Sequence, residues 1–215
     1  MIEAYRNTPA EDMDYRFEDN AAWSRARKVL LDRFGSDRSI AVLDIGCHTG
    51  AFLAALPESW RRHGIESAAE PVRIARERRG VNIVAERLET IGDDWSGRFD
   101  AITMFDVIEH LSSPAEALAS VARLLRPGGL LILSSGDFGA WTWRWMGGGH
   151  WYLQTPLHLA VVSGPFLRYA AEKGGLSLID LRAIPHRRAT VGQRLHEAAK
   201  AVYWGLRQRK GIYRI

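Results

Sequence analysis

The residues best equipped for chemistry cluster in one run, Val42 to Phe52, which reads VLDIGCHTGAF. Asp44 lies among Val42, Leu43 and Ile45, and Gly46 and Gly50 follow it closely. Glycine at such positions permits a tight turn and lets a ligand approach bare backbone. A helix opening near Gly50 aims unpaired N–H groups and a positive dipole end at that ligand. Twenty residues after Gly46, the run His63-Gly64-Ile65 ends in Glu66. An acid past the end of a second strand is placed to accept hydrogen bonds from two ribose hydroxyls. The chemistry implied is nucleotide-type binding. Dinucleotide folds use G-x-G-x-x-G, whereas here the spacing is Gly46-x-x-x-Gly50. Three histidines, His110, His150 and His158, add the residue type that titrates nearest neutral pH.

The elements that must position these groups follow from pattern. Val42, Leu43 and Ile45 read as the buried end of a parallel strand. Further strands are expected near residues 63–66, Val81 to Ala85, the first half of Phe99 to Leu111, and Leu130 to Ser134. The last of these is continuously apolar, as a strand covered on both faces should be. A helix is expected after Ser113, with Pro114 at its first position and Glu116 completing a capping box. Leu118, Val121 and Leu125 give that helix one apolar face, and Pro127-Gly128-Gly129 ends it. Other helices are expected over about Glu18 to Phe34 and about Ser163 to Gly174, with a sixth strand over Leu176 to Leu181.

In their order, these motifs resemble the class I S-adenosylmethionine-dependent methyltransferases, over about residues 40 to 183. Asp44, Gly46 and Gly50 match the family's D-x-G-x-G-x-G, with His48 in place of the middle glycine. The resemblance implies a Rossmann-like α/β fold, a seven-stranded, mostly parallel sheet with helices on both faces, and S-adenosyl-L-methionine as cofactor. It makes Asp44, Gly46, Gly50, Glu66, Glu86 and Asp106 the cofactor-binding residues. Glu66 would hold the ribose, Glu86 (or Glu89) would face the adenine amine, and Asp106 would line the site. The stretch Thr155-Pro156-Leu157-His158-Leu159 is similar to an element of a small-molecule, glycan and quinone subgroup. In that subgroup a helical insertion, here residues 191 to 209, precedes a short final strand, here Gly211 to Ile215.

The expected function is therefore methyl transfer to a small molecule, most naturally at oxygen, with His110 or His158 as general base. His63, His186 and His196 are expected as surface or packing residues. Asp106-Val107-Ile108-Glu109-His110 resembles the E-x-x-E-H of metal-assisted ubiquinone and small-RNA ribose methyltransferases. In many relatives with D-x-x-E-H, however, the acids brace the loop, and no metal is the expectation here. Two other readings stay open: a metal-assisted RNA 2′-O-methyltransferase, and a non-catalytic adenosylmethionine-binding partner subunit.

Composition bounds the rest. At 215 residues one domain with a substantial core is expected. It would comprise an N-terminal helical segment or lid (1–39), the core (40–183) and a basic helical extension (184–215). Tyr5, Tyr15 and Trp23 suit either a flap over the cofactor or packing on the sheet edge. Cys47 is the single cysteine, no signal peptide is evident, and no run approaches the ~18 apolar residues of a membrane span. A cytoplasmic location is expected. From Arg182 onward nine Lys/Arg face one acid, a net +8, while the preceding part carries −4. Val191, Leu195, Ala198, Val202 and Leu206 recur at helical spacing there, so a basic amphipathic helix packed on its own domain is expected. Nucleic acid or membrane contact is not favoured. Trp141, Trp143, Trp145 and Trp151 lie within eleven residues just past the fifth strand, where an acceptor should bind, and Gly147-Gly148-Gly149 would act as a hinge.

Overall fold

The computed structural model describes residues 20–136 and 157–184 without a break, residues 150–154, and positions 17, 143, 145, 198, 199 and 202. Its spine is β1 (Ala41–Ile45), in which every residue is buried. A strand that apolar and that buried belongs in the middle of a parallel sheet. It pairs in parallel with β2 (Arg61–Ile65) on one side and β4 (Phe99–Phe105) on the other. β3 (Asn82–Ala85) extends the sheet beyond β2, and β5 (Leu125–Ser134) beyond β4, so the order is β3-β2-β1-β4-β5.

Alternation along β1 sends its side chains to two cores. Ala41, Leu43 and Ile45 pack with Ile102, Met104, Leu118, Val121 and Ala170, under α4 (Pro114–Leu124) and α5 (Gly164–Lys173). Val42 packs with Ala26, Leu30, Phe52 and Ala75 on the opposite face. That face carries α1 (Ala21–Phe34), α2 (Ala51–Ala54) and α3 (Ala69–Arg79). Each fully buried Leu, Ile or Phe contributes about 1.5–3 kcal/mol.

Helix ends follow local chemistry. Asn20 Oδ1 accepts from the Trp23 N–H at 3.1 Å, which starts α1 at Ala21 rather than Glu18. Gly35 ends it at φ 72°. Ser163 Oγ caps α5 through the Phe166 N–H. Ser113 precedes α4 as expected, but its side chain makes no cap hydrogen bond, so the capping box is not formed. α4 stops at Leu124, and Pro127-Gly128-Gly129 falls inside β5, next to a register shift against β4. Proline and glycine are tolerated at such an irregular strand start.

Two expectations need correction. The sheet has five strands among the described residues, not seven. The Leu176 N–H closes the end of α5 on Ala171 O at 2.8 Å. Residues 176–181 then join no ladder, and Ile179 stays 83% exposed. Strand composition alone does not make a strand; a ladder partner is also required, and residues 176–181 have none among the described residues. The expected final strand, 211–215, and nearly all of the basic helix lie outside the described residues, as do Tyr5, Tyr15, Trp141 and the Gly147–Gly149 hinge. Second, β5 from Leu130 to Ser134 is half-buried rather than covered on both faces, because β4 is its one partner in the described sheet.

Candidate functional site

The turn after β1 alternates left-handed residues: Gly46 at φ 73°, His48 at 49° and Gly50 at 78°. His48 thus adopts the conformation of the glycine it replaces, at a cost of roughly 1–2 kcal/mol for an L-residue. Gly46 also has no room for a side chain, since a Cβ would lie 2.5 Å from Val107 Cγ2. This packs the turn after β1 directly against the turn after β4. Residues 46 and 47 donate N–H groups to Ile65 O at 2.9 and 3.1 Å. Arg79 clamps the far end of the turn through Thr49 O at 2.8 Å. α2 is a single turn, so little of the expected helix dipole is present. His48→Gly is expected to leave stability within about 1 kcal/mol of the parent, since lost strain offsets added chain entropy. His48→Val, β-branched at positive φ, should lose more than that in urea denaturation.

Glu66 stands just past β2 and is held by three backbone amides. Oε1 accepts from Ser67 N and Ala68 N at 2.8 Å each, and Oε2 accepts from His48 N at 3.0 Å. Of about four acceptor positions on a carboxylate, one stays open on Oε2. The acid therefore braces the glycine turn and keeps one acceptor position. Asp44 is 3% exposed and accepts from Thr103 Oγ1 at 2.7 Å. Burial pushes its pKa up to about 7; the Thr103 hydrogen bond opposes this, and the negative charge of Glu66 adds to it. The negative charge of Glu66 beside the buried Asp44 makes a spot where a cationic group is favoured.

Glu86 is exposed at the end of β3 and shares with Glu66 a cavity of about 540 Å³, closed on one side by Val72, Arg73 and Arg76 of α3. Ligands of open α/β sheets bind at this carboxyl end. Asp106 follows β4 at φ 53° and donates its N–H to Ser134 O at 2.9 Å. Among the described residues, His48 and Asp106 are the two non-glycines at positive φ, and both follow adjacent central strands. Strain of this kind concentrates at working sites.

A second group gathers beyond Asp106. His110 Nδ1 lies 2.9 Å from Leu157 O, and His158 Nδ1 lies 2.7 Å from Tyr152 O. A carbonyl can only accept, so each ring carries a proton on Nδ1, and in the neutral imidazole Nε2 is then the nitrogen with the free lone pair. The ring centroids are 4.9 Å apart. Glu109, 1% exposed, ties the group together. Its Oε1 accepts from the Tyr152 hydroxyl at 2.8 Å and its Oε2 from Ser135 Oγ at 2.9 Å. Its carbonyl accepts from Leu159 N and Ala160 N. Burial pushes the Tyr152 hydroxyl up to about 12, so it stays a donor. His150 plays a different part: it is buried and stacked on Trp143 at 4.1 Å and 7°, and burial pulls its pKa down. It is a packing residue. So is His63, set edge-on to Trp95 and Phe99.

Sequence pattern missed Thr103, Arg79, Tyr152 and the bracing role of Glu109. A Thr inside an otherwise apolar strand next to a buried Asp was the one available signal.

A family profile described as a methyltransferase domain matches residues 15–181. The ubiquinone biosynthesis O-methyltransferase of Xanthomonas oryzae pv. oryzae is 36% identical over 120 residues, which is 50% of this chain and 48% of that protein. The same-named protein of Erwinia tasmaniensis is 32% identical over 112 residues, 47% of this chain and 44% of that one. The matched stretch thus spans less than half the length of these curated relatives. Haemonchus contortus phosphoethanolamine N-methyltransferase 2, solved with S-adenosyl-L-methionine, has the same fold, with a TM-score of 0.57 at 19% identity over 81% of this chain and 40% of that one. The profile takes in every strand of the sheet and both groups of side chains, and the chain belongs to the class I S-adenosylmethionine-dependent methyltransferase family.

Proposed function

We propose that this chain transfers a methyl group from S-adenosylmethionine to a hydroxyl of a small molecule. The observation that carries the reading is the pair His110 and His158, each with Nδ1–H committed to a carbonyl and Nε2 left basic. The cofactor supplies a methyl group already activated as a sulfonium. What remains for the chain is to orient two partners, exclude water and remove a proton. Asp44, Glu66 and the glycine turn offer the cofactor two carboxylates and close backbone approach, and Glu86 borders the same cavity. An imidazole Nε2 takes the hydroxyl proton, and its carbonyl partner holds the resulting imidazolium in place. The kinship with ubiquinone-pathway O-methyltransferases supports oxygen as the acceptor atom and a small molecule as substrate.

The test is methyl incorporation from labelled cofactor into separated metabolite, lipid and RNA pools, with label expected in a metabolite. Label in RNA would favour the ribose methyltransferase, and no label in any pool would favour the non-catalytic subunit. For the cofactor half of the reading, Glu66→Ala should weaken S-adenosylhomocysteine binding by about 1.5–3 kcal/mol. Isothermal titration of a variant with native circular dichroism reads this directly. Unchanged affinity removes Glu66 from the site.

A metal-assisted variant of the reaction has one observation in its favour: ligand atoms of Glu109, His110 and His158 lie within 4.8 Å of one another. Carbonyls on the Nδ1 atoms are also the partners that metal-bound imidazoles use. One carboxylate and two imidazoles suit Zn²⁺ better than Mg²⁺. Against it, both Glu109 oxygens already accept hydroxyl hydrogen bonds, so we favour the metal-free base. Zinc titration of the chelator-treated protein should show no site that His158→Gln removes.

A further inference from the structure

At the amino ends of the strands, opposite the cavity described above, lies a second cavity of about 310 Å³. Ala41 and Arg61, the paired first residues of β1 and β2, line it with Phe99 at the start of β4 and Arg126 near the start of β5. Asp94, Trp95 and Arg98, from the connection into β4, close it. Three guanidinium groups therefore converge on one opening. Arg126 leans on Asp100 at 2.8 Å, and Asp100 is itself anchored by the Ala41 N–H. Arg98 uses Nε on Asp94 O at 3.1 Å, which leaves its two terminal nitrogens available. Arg61 is exposed, and after burial its nearby charge is the second cause that disfavours a charge on the His63 ring. The Asp94 carboxylate turns back over Gly92. Against three arginines stand Asp94 and, behind Arg126, Asp100, so the opening keeps a net positive charge.

The aromatic wall gives this cavity a second property. Trp95 is half-exposed and stacked on Phe99 at 5.5 Å and 7°, with His63 edge-on to both. Asn82 Nδ2 donates to His63 Nδ1 at 3.1 Å, which places the ring proton on Nε2. A flat, rigid aromatic surface thus stands beside a fork of arginines. Guanidinium forks match phosphate oxygens, and aromatic rings stack on flat heterocycles. The volume is at the low end of ligand pockets, about 300–1,000 Å³.

We propose that this cavity is a binding site for a nucleoside monophosphate, with the phosphate on Arg61, Arg98 and Arg126 and the base against Trp95. It is separate from the cofactor site, since it opens at the other end of the same strands.

Adenosine 5′-monophosphate is the probe, titrated calorimetrically into the full chain saturated with S-adenosylhomocysteine, so that the carboxyl-end cavity is blocked. Binding is expected, weakened by added salt, and at least tenfold tighter than that of adenosine or ribose 5-phosphate. The Arg61→Gln/Arg98→Gln double variant changes two exposed side chains. It should keep the parent melting temperature and S-adenosylhomocysteine affinity while losing tenfold or more in nucleotide affinity. No heat from the nucleotide under these conditions overturns the proposal. So does nucleotide binding that the double variant leaves intact, and equal binding of ribose 5-phosphate overturns the role of Trp95. None of these readouts depends on turnover, so the result is independent of the methyl acceptor.

Discussion

Gln at His110, at His158 or at both is expected to slow methyl transfer by about 10²–10⁴ while cofactor affinity stays at the parental value. Gln keeps a hydrogen-bond donor near the Leu157 and Tyr152 carbonyls but has no basic nitrogen. The loss should therefore appear in the single-turnover rate rather than in binding. The measurement uses the acceptor identified by the labelled-cofactor screen. Parental rates in both single variants would end the base assignment. A fall in cofactor affinity would instead give the histidine a purely architectural part.

A large dependence of stability on pH is expected at Asp44. The folded-state pKa is about 7 and the unfolded value 3.8, with burial the main cause. Between those values the native state keeps a proton that the unfolded chain has lost. Unfolding free energy should therefore fall as pH rises from about 4 to 7, then level off. A shift of this size corresponds to about 4 kcal/mol. Other groups titrate in the same range, so the diagnostic quantity is the difference from Asp44→Asn, which still accepts from Thr103. The variant should gain on the parent steadily across this window in urea denaturation. A constant difference would mean that Asp44 stays ionised throughout.

Local chemistry was legible in sequence, and distant partnership was not. Gly46, Gly50 and Glu66 stand where strand ends and turn chemistry required them. Ser163, Pro114 and Gly35 mark real helix boundaries, because caps act within three or four residues. Asp44 was recognised as part of the turn, but its proton is held up by burial and opposed by a hydrogen bond from Thr103, 59 positions away. Glu109 reaches Tyr152 across 43 positions, and Arg79 reaches Thr49 across 30. No periodicity reports contacts of that range. The same limit explains the strand count: Leu176 to Leu181 has strand composition, but a ladder depends on an open neighbouring edge. At Pro127-Gly128-Gly129 the breakers were read as a helix stop, whereas they shape the irregular start of β5.

The central place of β1 also bears on how the chain is made. β1, β2 and β3 are consecutive in sequence, so that half of the sheet can assemble as soon as residues 20–85 have left the ribosome. The other edge of β1 must wait for Phe99–Phe105, whose Ala101 pairs with Val42 and whose Thr103 caps Asp44. Until then an apolar strand edge and an unpartnered acid stand open to solvent, a state prone to edge-to-edge association. Synthesis paused between residues 85 and 99 should therefore yield a chaperone-dependent nascent chain. Release of that dependence is expected once β4 has emerged.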